Sequence, residues 1–382
     1  MVTKPKLRVA IIGGGRIGGL LEDETPPNRF RKPHGHFAAY QTVPDVQVVA
    51  VAQRSPERAE MFKKRWGISN VYTDYRQMIE KERPDIVSVT TQAIYKAEII
   101  VHAAEHGVKG IFAEKALCCS LEEADRIYAA LKKNKVAFNY GAERRQHDGY
   151  QRLREAIAKG DIGEPKYAFC FWLSDLMKHH SHSLDTISFL LGDPKPVWCE
   201  GKLILKGDAL DPGNRMGPRE GAGMTQRPLP MPTLDTKSRK FIAPEGMPFA
   251  DPYLDFSRIG YDNGTEAFIF PLSRATDFEV HGTEGRAFSW DDGQDIRVRS
   301  VSKKKGGGDV VEKTIRPSGL SPTVNTIKDL VRELQTGERT KGNIDVTMQG
   351  LEAEFGLAYS HIEGNKRIPL PVKDRSLYIP NH

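Results

Sequence analysis

Five short runs, apolar apart from their ends, divide the first 141 residues: Val9 to Ile12, Val46 to Ala52, Asp85 to Thr91, Gly110 to Lys115 and Val136 to Gly141. Runs this short, without one-in-two alternation, read as strands buried on both faces of a sheet. Between them the spacing turns helical. One helix opens near Gly35-His-Phe-Ala-Ala-Tyr40. Another has Ser55 as N-cap and Pro56 as its first residue, and runs to about Trp66. A third covers Gln92 to Gly107, and the capping box Ser120-Leu-Glu-Glu123 opens a fourth that ends near Asn134. Strand and helix alternate throughout, which predicts an α/β domain over residues 1–141 with a doubly wound parallel sheet. Leu20 to His36 breaks the alternation and reads as an insertion.

From Ala142 the pattern changes. A helix is predicted from Asp148 to Lys159, closed by Gly160, then a strand from Lys166 to Trp172 and a short helix from Ser183 to Leu191. Gly207 to Tyr253 is rich in Pro and Gly with little periodicity; a connection this long is either functional or an arm on a neighbour. Strand patterns return at Tyr261 to Phe270, Ala275 to Gly282, Gly285 to Trp290 and Asp295 to Val301. Helical spacing follows at Val324 to Leu334 and Thr347 to Glu363, and Arg367 to Val372 is a short final strand. Clustered strands predict a mostly antiparallel sheet, so residues 142–382 read as an α+β domain for substrate binding and oligomerisation.

Composition narrows the function. An apolar content of 39% with 28% charged residues suits a soluble globular protein. The net charge of +6 is spread along the chain, and the one basic cluster, at Lys303 to Gly308, reads as a solvated hairpin loop. Nucleic-acid binding is therefore not expected, while anionic ligands are compatible. Cys118, Cys119, Cys170 and Cys199 show neither metal nor disulfide spacing, which points to reduced thiols in the cytoplasm. No signal core or membrane-spanning stretch is seen, so no membrane partner is expected.

The first strand ends in Gly13-Gly-Gly-Arg-Ile-Gly18, a G-x-G-x-x-G turn. In a Rossmann βα unit Gly13 permits the tight turn, Gly15 lets backbone N–H groups reach a pyrophosphate, and Gly18 lets helix and strand approach, with Arg16 and Ile17 in the same turn. A dinucleotide is the expected cofactor. The second strand usually ends in an acid that holds the ribose 2′-hydroxyl; Gln53 stands there instead, followed by Arg54 and Ser55. Without that carboxylate nothing repels a 2′-phosphate, and Arg54, Ser55 and the helix N-terminus can bind one, so NAD(P) is expected with a leaning to NADP. Alternatively Ser55 is only a cap and Arg54 is solvated.

Ligands of an open parallel sheet bind beyond the carboxyl ends of its strands. That edge carries Thr91, Gln92 and Glu114-Lys115. A lysine just after a buried strand can polarise a hydroxyl or carbonyl, or exchange its proton. In the second half, Lys178-His-His-Ser-His182-Ser-Leu-Asp185 places His182 and Asp185 on one helix face, a plausible acid/base pair. Ser181 and Asp185 serving only the helix start is the plain alternative. No metal is expected, because adjacent histidines rarely converge on one ion.

Together these motifs, with Gly160-Asp-Ile-Gly-Glu-Pro165, Leu191-Gly192, Gly282-Thr-Glu-Gly-Arg286 and Ile368-Pro-Leu-Pro-Val372-Lys-Asp-Arg375, resemble the glucose–fructose oxidoreductase / inositol dehydrogenase (Gfo/Idh/MocA) family. The resemblance implies a Rossmann domain followed by a domain with a large open sheet that often forms a dimer face, hence a homodimer or homotetramer. It implies NAD(P)-dependent hydride transfer at a carbinol or carbonyl of a sugar, sugar derivative or cyclitol. Carried over, the catalytic residues are Lys115 and His182, with Asp185 nearby. Arg144, Trp172, Lys178 and His179 are candidates to line the substrate pocket. There are departures: the proline after the lysine is Ala116, the family's D-x-G-x-H-x-x-D has Lys178 and His180 at its first Asp and its Gly, Thr-Pro reads Thr91-Gln92, and the histidine that often follows is Lys96. Two other functions fit the scaffold: an enzyme that retains NAD and cleaves glycosides or eliminates through transient oxidation, and a non-catalytic metabolite sensor. The leading reading requires Lys115 and His182 to meet above one nicotinamide ring.

Overall fold

The computed structural model describes residues 5–24, 32–211, 230–272, 276–301 and 308–381. Part of the insertion (25–31), part of the Pro/Gly-rich connection (212–229) and most of the basic loop (302–307) lie outside the described residues. The chain forms two compact units. The first takes 1–118, 123–151 and 317–348; the second takes 119–122, 152–316 and 349–382. The path thus crosses between units more often than a single cut at residue 141 describes.

The first unit holds a six-stranded parallel sheet in the order β3-β2-β1-β4-β5-β6. Its strands are β1 (Leu7–Ile12), β2 (Val46–Ala52), β3 (Val71–Tyr72), β4 (Ile86–Val89), β5 (Gly110–Ala113) and β6 (Ala137–Tyr140). Val9, Ile11, Val51, Ile86 and Phe112 are buried, as unalternated apolar strands require. The helix Pro56–Trp66 begins and ends as its sequence dictates: Ser55 Oγ accepts from Arg58 N at 3.3 Å, and Gly67 closes it in the left-handed region. The helix Pro322–Thr336, distant in sequence, joins this core through Val324, Ile327, Leu330 and Val331. Its Asp329 is a satisfied buried carboxylate that accepts from Asn139, Gln146, Lys341 N and Arg332. Neither the short β3 nor the helix Tyr75–Glu82, capped by Asp74, stands out in the apolar pattern.

The second unit holds a nine-stranded sheet, β16-β15-β14-β13-β7-β12-β11-β8-β17. Its strands are β7 (Pro165–Phe171), β8 (Pro196–Ile204), β11 (Tyr253–Tyr261), β12 (Glu266–Phe270), β13 (Asp277–Gly282), β14 (Gly285–Trp290), β15 (Asp295–Val301), β16 (Val310–Ile315) and β17 (Ile368–Pro369). The hairpin of β9 (Thr233–Asp235) and β10 (Lys240–Ile242) stands apart from it. All pairs in the large sheet are antiparallel except β7 with β12. The expected single strand Tyr261 to Phe270 is two strands. Gly264, at φ +80°, and Asn263, whose side chain accepts from Thr265 N at 3.0 Å, turn the chain between them. The expected helix Ser183 to Leu191 begins earlier, at His180–Leu190; no side chain caps it, so the sequence carries no start signal there. The helix Ile344–Ile362 lies close on β8: a Cβ at Gly356 would fall 2.5 Å from Cys199 Sγ, and Ser360 Oγ accepts from Gly201 N at 2.9 Å. No disulfide joins the four buried cysteines, and no helix among the described residues is long and apolar enough to cross a membrane.

Candidate cofactor and active site

The glycine turn is explained at two of its three positions by the chain itself. Gly13 sits at φ +110°, and a Cβ there would lie 2.7 Å from Thr90 Oγ1. A Cβ on Gly18 would lie 2.0 Å from Gly13 O. Thr90 locks the turn by donating to Gly13 O at 2.6 Å, a role the sequence reading did not assign. Gly15 is different: a Cβ there would meet nothing within 4 Å. No described residue packs against this position, which leaves the backbone open to approach by a pyrophosphate. Arg16 and Ile17 continue from it into the short helical segment Arg16–Leu20.

The remaining expected cofactor residues share this edge of the sheet. Ser55 is the N-cap described above. Arg54 is exposed, and its guanidinium stacks on the Tyr95 ring at 4.3 Å rather than standing free in solvent. Thr91 and Gln92 follow β4; the Thr91 hydroxyl is buried with no hydrogen-bond partner among the described residues, and a ligand group could satisfy it.

Glu114 and the half-buried Lys115 follow β5. The Glu114 side chain contacts His36 Nε2 at 3.0 Å, while His36 Nδ1 lies 2.5 Å from Ser88 Oγ and its ring stacks on Phe112. Burial pushes the Glu114 carboxyl up. The His36 bond and the charges of His36, Lys115 and Lys96 outweigh it, so the carboxyl is held below its ordinary value. His36 is the inserted segment's contribution to the site, and its lone place after a charged, proline-containing stretch gave no sequence signal. Arg144 is buried in the short helix Glu143–Gln146 after β6.

In the second unit, Trp172, Lys178, His179, His182 and Asp185 come from the end of β7 and the start of the helix His180–Leu190. His182 and Asp185 are buried on one face of that helix. His179 contacts the buried Asp175 carboxylate at 2.7 Å, and Trp172 packs edge-on to both His179 and His180. The loop before the helix is sewn down: Asp251 accepts from Met177 N at 2.9 Å and Lys178 N at 3.0 Å, and Leu176 N donates to Pro252 O. Asp175, Asp251 and Glu354 were not anticipated; Asp175 lies in the loop itself, while only the fold brings Asp251 and Glu354 to it.

Burial sets the protonation here. It pushes the His180 imidazole down to about 3, so His180 is neutral and is no acid near neutral pH. Burial, then the Asp175 charge, drives Asp251 well above the usual carboxyl range against its N–H donors and Lys178. Burial, with the charges of Asp251 and Asp185, does the same to Glu354, whose two oxygens have no hydrogen-bond partner among the described residues.

Comparison with known proteins agrees with this layout. Residues 7–142 match the family described as "Oxidoreductase family, NAD-binding Rossmann fold" (GFO_IDH_MocA). Inositol 2-dehydrogenase of Salmonella typhimurium is 32% identical over 42% of this chain and 44% of its own length. D-glucoside 3-dehydrogenase of Escherichia coli is 27% identical over 43% of this chain and 42% of its own. The chain thus spans less than half of these relatives. A solved levoglucosan dehydrogenase, in complex with NADH and L-sorbose, shares the fold at TM-score 0.71 and 19% identity, covering 97% of this chain and all of that one.

Proposed function

We propose that this chain, whose residues 7–142 match the Gfo/Idh/MocA oxidoreductase family, is an NAD(P)-dependent dehydrogenase or reductase of a sugar, sugar derivative or cyclitol. The observation that carries this is Lys115, half-buried at the carboxyl end of β5, on the same sheet edge as the open turn at Gly15. Bound along the turn at Gly13, Gly15 and Gly18, NAD(P) would supply the hydride donor or acceptor. The chain's part is to hold the substrate and manage one proton: as a carbinol becomes a carbonyl, its O–H proton passes to Lys115 or His182, and the other group orients the oxygen. Asp185 orients His182.

The Asp175–His179 contact at 2.7 Å supports a second assignment within the same reaction, with His179 as the proton carrier. The two are separated by His182→Gln and His179→Gln: the variant that loses the acidic limb of the pH–rate profile has lost the carrier.

Gln53 in place of an acid, and Arg54 stacked on Tyr95, favour NADP over NAD. The half-exposed aromatic row Phe169, Phe171, Phe268 and Phe270 on the large sheet supports a homodimer or homotetramer. A cytoplasmic location completes the reading.

The deciding experiment is a sugar and cyclitol panel with both NAD and NADP, read at the nicotinamide absorbance band. Stoichiometric change is expected. Product without net absorbance change would establish the NAD-retaining alternative, and cofactor binding with no turnover the sensor.

The turn gives a separate expectation. Gly15→Ala should melt within about 1 kcal/mol of wild type, since its Cβ meets nothing, yet bind NAD(P) at least ~10-fold more weakly through lost backbone approach to the pyrophosphate. Gly18→Ala should instead lose roughly 1–3 kcal/mol of stability or more, because its Cβ collides with backbone. Thermal melts and cofactor titrations check both.

A further inference from the structure

The helix Ala93–Glu105 carries Lys96 in its first turn, wholly buried. Its ammonium donates to three successive carbonyl oxygens: Glu114 O at 2.6 Å, Lys115 O at 3.1 Å and Ala116 O at 2.6 Å. In a strand, consecutive carbonyls point to opposite sides. Here three of them turn toward one cation.

A lysine has three N–H donors, and the turn after β5 supplies an acceptor for each. A buried charge is a costly way to fill space that an aliphatic side chain could fill, so its presence marks a requirement for geometry rather than for stability. A histidine, the residue often found here in proteins this chain resembles, has two ring nitrogens on separate edges and cannot gather three carbonyls. Next to the clamp stands Ala116, where those proteins have proline. A proline fixes its own φ; an alanine does not. The two departures fall on the same turn and offset each other.

We propose that Lys96 is a positioning residue: it replaces, from outside, the constraint that a proline at 116 would supply from within, and so fixes the backbone from which the Lys115 side chain projects. The kinetic half of this inference rests on the dehydrogenase reading above; the structural half does not. The charged groups around the turn are Glu114, Lys115 and His36 beside Glu114, and none of them makes the three carbonyl bonds.

The test is Lys96→Met, alone and combined with Ala116→Pro. Lys96→Met is expected to lower kcat about 10–100-fold while the sugar KM and the NAD(P) Kd stay within about twofold. Adding Ala116→Pro should recover at least about tenfold of the loss, which a packing defect at Lys96 would not allow. Wild-type kcat in Lys96→Met, or a loss that Ala116→Pro leaves untouched, overturns the proposal. Hydrogen exchange of the amides at 114–118 reads the clamp without turnover. It should speed up in Lys96→Met and slow again in the double variant; unchanged exchange overturns the clamp even if the enzyme is active. Loss of the exchange effect counts against Lys96, whereas a wild type inactive on every sugar counts against the dehydrogenase reading. Should Lys96→Met not fold, Lys96→Gln takes its place, and a Lys96→Gln protein indistinguishable from wild type overturns the proposal.

Discussion

Lys115→Ala is expected to turn over about 10²–10⁴-fold more slowly than wild type while still binding NAD(P). The nucleotide is held by the glycine turn and the edge of the sheet, none of which the substitution touches. What is lost is the amine that polarises or deprotonates the substrate oxygen. The loss should fall on kcat more than on the sugar KM, since the amine acts most on the charge that develops as the proton leaves. His182→Ala should produce a loss of the same order if it shares the proton, and His179→Ala only a small one. The reverse order would move the proton carrier to the Asp175–His179 pair. Steady-state rates at the nicotinamide band, beside cofactor titrations by fluorescence, separate these outcomes. Near-normal turnover in both Lys115→Ala and His182→Ala would remove both from the chemistry.

The parallel sheet was legible because its signals are local. Val9 to Ile12 has no alternation, the glycines follow at once, and Ser55-Pro56 announces a helix in two residues. The second unit was legible in class but not in detail. β8 and β16 carry no distinctive pattern: β8 mixes polar and apolar positions, and β16 is an edge strand exposed along most of its length. The turn at Asn263-Gly264 did carry a local signal, a polar Asp-Asn-Gly-Thr run with the Asn-Gly pair of a hairpin, which the strand reading of Tyr261 to Phe270 ran through.

The site divides in the same way. Gly13, Gly18 and Lys115 could be placed from spacing to their strands. His36, Lys96 and Asp251 could not, because each takes its partners from another part of the chain; Asp175 meets His179 only four residues on, but nothing in the sequence marks it or Glu354 as buried. Their common property is burial of a polar group, which single-sequence patterns register only as an interruption.

Glu354→Gln is expected to be more thermostable than wild type at pH 8, with little difference at pH 5. Glu354 lies on the helix Ile344–Ile362 and is almost wholly inaccessible, with neither oxygen hydrogen-bonded among the described residues. Burial, then Asp251 and Asp185, raises its carboxyl well above the ordinary 4.5. In the folded protein it therefore keeps its proton at pH values where the unfolded chain has released it. The native state then binds more protons than the unfolded state, so stability falls as pH rises. The contribution is whole below pH 4.5 and is lost as pH climbs through the raised value. Each pH unit crossed in that window removes roughly 1.4 kcal/mol, and each kcal/mol is about 1 °C in Tm for a protein of this size. Glutamine matches the protonated acid in shape and does not titrate, so the variant escapes that loss. Asp251, raised in the same direction, is retained in both proteins. Melting curves of the two proteins from pH 5 to pH 8 give the comparison directly. A Tm difference that stays constant over that range, or that favours wild type increasingly toward pH 8, would show that Glu354 is ionised in the fold and that its neighbours do not repel it.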